Sequence, residues 1–164
     1  MRLLVLLAPR LRSLWLLAGV FTIGTLLAGC GGRGHRPASA LTDHEREVLD
    51  AYEKVRAGLA GDDARMAKSG ASELVEVLKK SSASPSSPAV VGNAQALVDA
   101  KALDTMRMVF QPLSASLIPI AQGVEGYYIM TSPPGVGGDW IQRTPDVDNP
   151  YLGKVMRAAG SEKK

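Results

Sequence analysis

The groups in this chain that could hold or attack something are few. Cys30 is the only cysteine, His35 and His44 are the only histidines, and Met occurs six times. A thiol can be alkylated, an imidazole can move a proton, and a thioether can hold a soft cation. A Ser/His/acid nucleophile set needs a histidine held by the fold. Here His35 lies in a Gly- and Pro-rich stretch and His44 in the first turn of the helical pattern that follows, so both read as solvated. Asp62-Asp63 has the form of a carboxylate pair, but it follows Gly61 between two helical patterns, where aspartate caps a helix. Asp146 and Asp148 stand beside Pro145 and Pro150 and read as turn residues. Gly135-Val136-Gly137-Gly138 lacks the lysine and helix start of a phosphate loop. Met106 and Met108 are two apart on a helical pattern and leave on different faces. The chain reads as non-enzymatic.

Cys30 takes its meaning from what stands before it. Arg2, Arg10 and Arg12 are the only charges ahead of it, and Ser13 to Leu26 is apolar or small throughout. Positive, then apolar, then small is the order of a secretory leader. The stretch is short of the roughly 20 residues that span a bilayer. Leu27-Ala28-Gly29-Cys30 resembles a bacterial lipobox. That resemblance implies a diacylglyceryl thioether on Cys30, cleavage before it and acylation of the new amine. It makes residues 1–29 a lipoprotein signal peptide, Cys30 the lipidation site and the membrane a partner. Each buried CH₂ adds about 0.8 kcal/mol to such an anchor. Gly31 after the cysteine, where retained lipoproteins of the resembled class carry Asp, favours the outer membrane over the inner, with the protein facing the periplasm. A lipidated Cys30 leaves no thiol for a disulfide, a zinc site or a nucleophile. The covalent lipid is then the only prosthetic group expected.

The leader also carries the charge. Of 19 basic residues three precede Cys30, which leaves 16 against 16 acidic ones. The net +3 therefore gives no reason to expect a nucleic-acid partner. What remains is long enough for one domain with its own core.

Residues 30–41 read as a flexible tether. Thr42 and Glu45 then form a capping-box pattern, and Val48, Leu49, Tyr52, Val55 and Leu59 recur at helical spacing over about 44–60. A second helix follows over about 63–80, with small residues Gly70 and Ala71 on its apolar face and a join short enough for an antiparallel hairpin. Ser81 to Pro88 reads as an exposed loop. Helical patterns resume over 89–102 and from Asp104 or Thr105, as caps, to about Gln122, with Pro112 inside the last. After Gly123, Tyr127-Tyr128-Ile129-Met130 favours extended backbone. Thr131 to Gly138 and Thr144 to Pro150 are rich in turn residues. The expectation is an all-α fold, an antiparallel bundle of three to four helices over 42–160. A loop-rich C-terminal cap closes its open end, pinned by Tyr127, Trp140, Asn149, Pro150 and Tyr151, and residues 161–164 are a charged tail.

Three groups of residues carry a second resemblance. Glu47-Val-Leu-Asp-Ala-Tyr52 is followed by Leu59-Ala-Gly-Asp-Asp63. Arg107-Met-Val-Phe110 precedes Leu113-Ser114. Gly138-Asp-Trp140-Ile-Gln142 leads to Asn149-Pro-Tyr151-Leu-Gly153 and Met156. In order and spacing, over about 43–160, they resemble a periplasmic domain of unknown function. That domain occurs at the C-terminus of CusB-type heavy-metal efflux adaptors and alone in secreted proteins. The resemblance implies a place in handling soft metals such as copper or silver. The family's Cys-Pro-Met triplet and later Cys-Gly are missing: the chain reads Met130-Thr131-Ser132-Pro133-Pro134 and Ala158-Ala159-Gly160. Met130 and Met156 lie near those places and are the candidate metal residues, although methionine also fills irregular core gaps.

Three functions follow as expectations. The first is a lipid-anchored binding or accessory module related to efflux adaptors, without the family's cysteine ligands. The second is a structural or protein-interaction lipoprotein that docks an envelope partner through its aromatic cap. The third is a methionine-based copper or silver binder.

Overall fold

Thr42 starts the first helix by exchanging bonds with Glu45. Its hydroxyl accepts the Glu45 N–H at 3.1 Å, and the Glu45 carboxylate accepts the Thr42 N–H at 2.8 Å. The computed structural model describes residues 36–163, so the signal peptide, Cys30 and His35 lie outside the described residues. Four helices follow: α1 Asp43–Ala60, α2 Ala64–Lys79, α3 Pro88–Asp99 and α4 Leu103–Ala121. Asp63 caps α2 by accepting from the Met66 N–H at 2.9 Å. Ser87 caps α3, with Pro88 in the first turn where its missing N–H costs nothing. Asp104 and Thr105 do not cap α4; the helix starts ahead of them, from Ala102, with no side-chain cap. Asp104 instead lies in the first turn, where the helix dipole favours an acid. Pro112 and Pro119 are both carried inside α4.

The α1–α2 hairpin is held close by glycine. A Cβ on Gly70 would lie 2.7 Å from the Val55 nitrogen, and one on Gly58 would lie 2.5 Å from the Ala67 nitrogen. The two helix backbones therefore approach closely at two levels, and Ala51, Val55, Leu59, Ala67, Ala71 and Leu74 fill the seam without exposure.

The all-α expectation is overturned by a three-stranded antiparallel sheet. Its strands are β1 Tyr128–Thr131, β2 Asp139–Gln142 and β3 Ser161–Glu162, in the order β2-β1-β3. Met130 stands opposite Trp140 and, on the other side, opposite Glu162. β-branched and aromatic residues suit the paired strands, but the pairing itself joins segments that no local pattern connects. Nor does the sheet close the open end of the bundle. It lies along the α1–α4 face, bonded to Tyr52 and Ser114 in the middle of those helices. Ser161 and Glu162, at the start of the expected charged tail, supply the edge strand, and Lys163 N–H adds a bond to the Ile129 carbonyl at 2.8 Å.

The chain enters this fold at Arg36. Its N–H donates to the Gly123 carbonyl at 2.7 Å and its carbonyl accepts from the Glu125 N–H at 2.8 Å, fixing it beside the end of α4. A 3₁₀ turn, Ala38–Ala40, and the buried Leu41 follow. The last part of the tether is thus docked on the domain. Among the described residues no helix is long and apolar enough to cross a membrane.

Candidate functional site

The densest chemistry lies where the sheet meets α1 and α4. Tyr52, fully enclosed on α1, accepts the Ile141 N–H at 3.2 Å and bonds the Ser114 hydroxyl at 2.7 Å. Ser114 in turn donates to the Asp139 carbonyl at 2.9 Å, so the Tyr52 O–H is the donor to Ser114. The same carbonyl accepts the Tyr151 O–H at 3.1 Å. Burial pushes both tyrosines well above their ordinary pKa, so each stays a protonated donor. Their rings continue the seam. Tyr52 stacks on Phe110 at 5.1 Å, Phe110 meets Tyr151 at 5.7 Å, and Trp140 meets Tyr151 edge-on at 6.1 Å.

Two amides hold the loops behind the sheet. Asn149, with no exposure, donates to the Ser132 hydroxyl at 3.2 Å and the Ala159 carbonyl at 2.7 Å, and accepts the Tyr151 N–H at 2.8 Å. It thereby joins the segments around Ser132 and Ala159. Gln142 accepts the Trp140 indole N–H at 2.9 Å and the Asp148 N–H at 3.2 Å, and donates to the Thr144 and Asp146 carbonyls.

Charged latches tie the cap to the helices. Arg56, buried on α1, bonds Glu53 and reaches the Asp148 carbonyl and carboxylate, each at 2.8 Å. Burial pushes the Asp148 carboxyl up, but hydrogen bonds from Arg157 and Arg56 outweigh it and hold the group below the usual range. At the α1–α2 turn, Asp62 takes a left-handed φ of 54°. Its carboxylate accepts the Lys154 N–H at 3.0 Å and pairs with Arg107, and these hold it below the usual range, the backbone bond first. Arg107 also donates to the Leu59 carbonyl at 3.0 Å and the Pro150 carbonyl at 3.1 Å. Among the described residues every buried side-chain nitrogen and oxygen has a partner.

Trp140, Asn149, Pro150 and Tyr151 are therefore brought together, but inside the protein. Tyr127 is apart from them and half-buried, with Arg143 over its ring at 5.2 Å and on its hydroxyl at 3.0 Å. Tyr127, Trp140 and Tyr151 do not form an exposed cluster. Met130 and Met156 are separated in kind: Met130 is 0% exposed in β1 and Met156 is 52% exposed in a 3₁₀ turn. They do not meet at a solvent-reachable point. Among the described residues there is no group of three or more His, Cys, Asp or Glu able to hold a metal. His44 does not simply face water: it is half-buried and bonds Ser86 at 2.9 Å. Arg56 carries no signal in the sequence, and the motifs that contain Asp62, Arg107 and Gln142 do not give these roles. A lone arginine on an amphipathic helix has the same pattern whether it is solvated or, as here, aimed at a loop 92 residues away.

Surface grooves remain, and two of them border the loops and the cap. One, of about 250 Å³, lies between α4 and the cap and is lined by Arg107, Met108, Gln111, Val136, Gly137 and Tyr151 among others. The other, of about 600 Å³, lies by the Ser81–Pro88 loop and is lined by Leu78, Lys79, Ser82, Pro88, Val91 and Gln95 among others. Neither gathers a catalytic set. Compared with protein-family models, curated proteins and solved structures, the chain has no significant match.

Proposed function

We propose that this chain is a lipid-anchored cell-envelope protein. Its folded part is a non-enzymatic binding or accessory module of the kind attached to heavy-metal efflux adaptors, without that family's cysteine ligands. The observation that carries the anchor is the order of residues at the N-terminus: three arginines, an apolar run, then Leu27-Ala28-Gly29-Cys30. The non-enzymatic reading is supported by how the polar interior is used. Tyr52, Ser114, Gln142 and Asn149 are all engaged in holding the domain's own backbone. Such a domain offers its surface, not a reaction centre, to a partner.

The test is expression of the full chain in a bacterium with two membranes, fed an alkynyl fatty acid. The wild type is expected in the membrane fraction, labelled and lacking its leader. Cys30→Ala is expected unlabelled and still carrying residues 1–29, a precursor of higher mass. A wild type that is unlabelled and recovered in soluble form would overturn the reading.

The interaction reading draws support from a different surface than the aromatic rings. Met108 is 67% exposed and Val136 is 39% exposed, and they share the groove between α4 and the cap. A partner docking there would meet two apolar side chains beside Arg107 and Gln111.

A further inference from the structure

The four helices run so that one end of the domain gathers the start of α1, the end of α2, the start of α3 and the end of α4. The side-chain pairing fixes this. His44 bonds Ser86 at 2.9 Å, Lys80 pairs with Glu47 at 3.5 Å, and the incoming Arg36 is clamped between Gly123 and Glu125. The opposite end holds the α1–α2 turn, the α3–α4 link and the Asp62–Arg107 latch. The 19 residues of α4 set these ends about 28 Å apart.

Six peptide steps separate Cys30 from Arg36, and whatever path they take they span at most about 20 Å. Arg36 is not free to drift, because both its backbone groups are bonded to the domain. A lipid on Cys30 therefore holds the Arg36 end close to the bilayer. That end is suited to a headgroup layer. It carries charges of both signs, with Asp43 paired to Arg46 and Glu47 to Lys80, and its loop presents the exposed residues Ser82, Ser84 and Ser87. Among the described residues the exposed large apolar side chains lie elsewhere. Met66 and Met108 are near the starts of α2 and α4, Val155 and Met156 follow Lys154 beside Asp62, and Val136 is on the cap.

We propose that the domain stands on the membrane surface, its Ser81–Pro88 end in the phospholipid headgroup layer and its Asp62–Arg107 end turned away from the bilayer. This rests on the anchoring reading. It adds a membrane-facing surface, contacted at headgroup depth and not inserted, and it leaves the Met108–Val136 groove open to the periplasm.

The experiment uses the full lipidated chain in vesicles of phosphatidylethanolamine and phosphatidylglycerol. Because the Cys30 sulfur is blocked by its lipid, one introduced cysteine is the only thiol that takes a fluorophore. Ser82→Cys and Lys101→Cys both replace exposed residues, one at each end. Equal thermal midpoints would show that both fold. With a nitroxide on the lipid headgroup, the Ser82 label should be quenched several-fold more than the Lys101 label; with the nitroxide deep on the acyl chain, neither should be. Equal headgroup quenching, or stronger quenching at Lys101, would overturn the orientation. Strong acyl-chain quenching at Ser82 would overturn the headgroup depth. Failure of the protein to float with the vesicles would remove the anchoring reading, and the orientation with it.

Discussion

Tyr52 is the residue through which the helices and the sheet are bonded most directly. Replacing it with Phe keeps the stack on Phe110 but leaves the buried Ile141 N–H without its acceptor. A buried donor left unpaired costs about 1–3 kcal/mol. Tyr52→Phe should therefore lower the denaturant midpoint with an unchanged slope. The acidic latches make a second prediction. Asp62, Asp139 and Asp148 are all held below their usual pKa. A carboxyl lowered in the folded state contributes its full stability above its unfolded value of about 3.9 and loses it as pH falls through the lowered one. The thermal midpoint should fall on acidification from roughly pH 5 downward. Asp62→Asn should be less stable than wild type at pH 7 and show a shallower loss between pH 5 and 3. An identical pH profile would remove Asp62 as a latch. At this scale the sequence was readable where a residue's neighbours in the chain define its role, as for the helix caps Thr42 and Asp63. It was silent on the roles of Arg56, Gln142 and Arg107, whose partners include carbonyls on other segments, since nothing in their own surroundings marks a buried side chain.

The helices rest on close backbone approach, and a glycine series tests it. A Cβ at Gly58 or Gly70 would meet backbone of the facing helix, whereas one at Gly92 on α3 meets nothing within 4 Å. Gly58→Ala and Gly70→Ala should each destabilise by about 1–3 kcal/mol, the cost of overpacking. Gly92→Ala should stabilise by about 0.5–1 kcal/mol through helix propensity. Calorimetric or chemical unfolding of the three variants decides it, and a stabilising Gly70→Ala would contradict the packing described. The four helices were legible because each repeats its apolar spacing over 12 to 19 residues and three of them carry a side-chain cap. The sheet was not. β1 and β2 are four residues each and β3 is two, too short for alternation to register. Tyr127 to Met130 favoured extended backbone, but pairing depends on Trp140 and Ser161, which no local pattern connects to it.

At the scale of the whole molecule, the domain places its polar interior in the service of its own closure, and the chain enters it at one end, at Arg36. Trp140 and Tyr151 of the cap pack with Phe110 of α4, and the exposed large apolar side chains are left around the far end and the α4 groove. Because the chain is docked from Arg36 onward, an anchor at Cys30, as proposed, would constrain orientation as well as location. The central claim is that Cys30 is the mature, lipid-bearing N-terminus. The measurement that tests it most directly is the intact mass of the protein extracted in detergent from its host's membranes, with fragmentation of the N-terminal peptide. The account predicts a chain that begins at Cys30 and carries a diacylglyceryl group on sulfur and an acyl group on the amine. A chain that retains residues 1–29, or begins elsewhere with Cys30 unmodified, would contradict it.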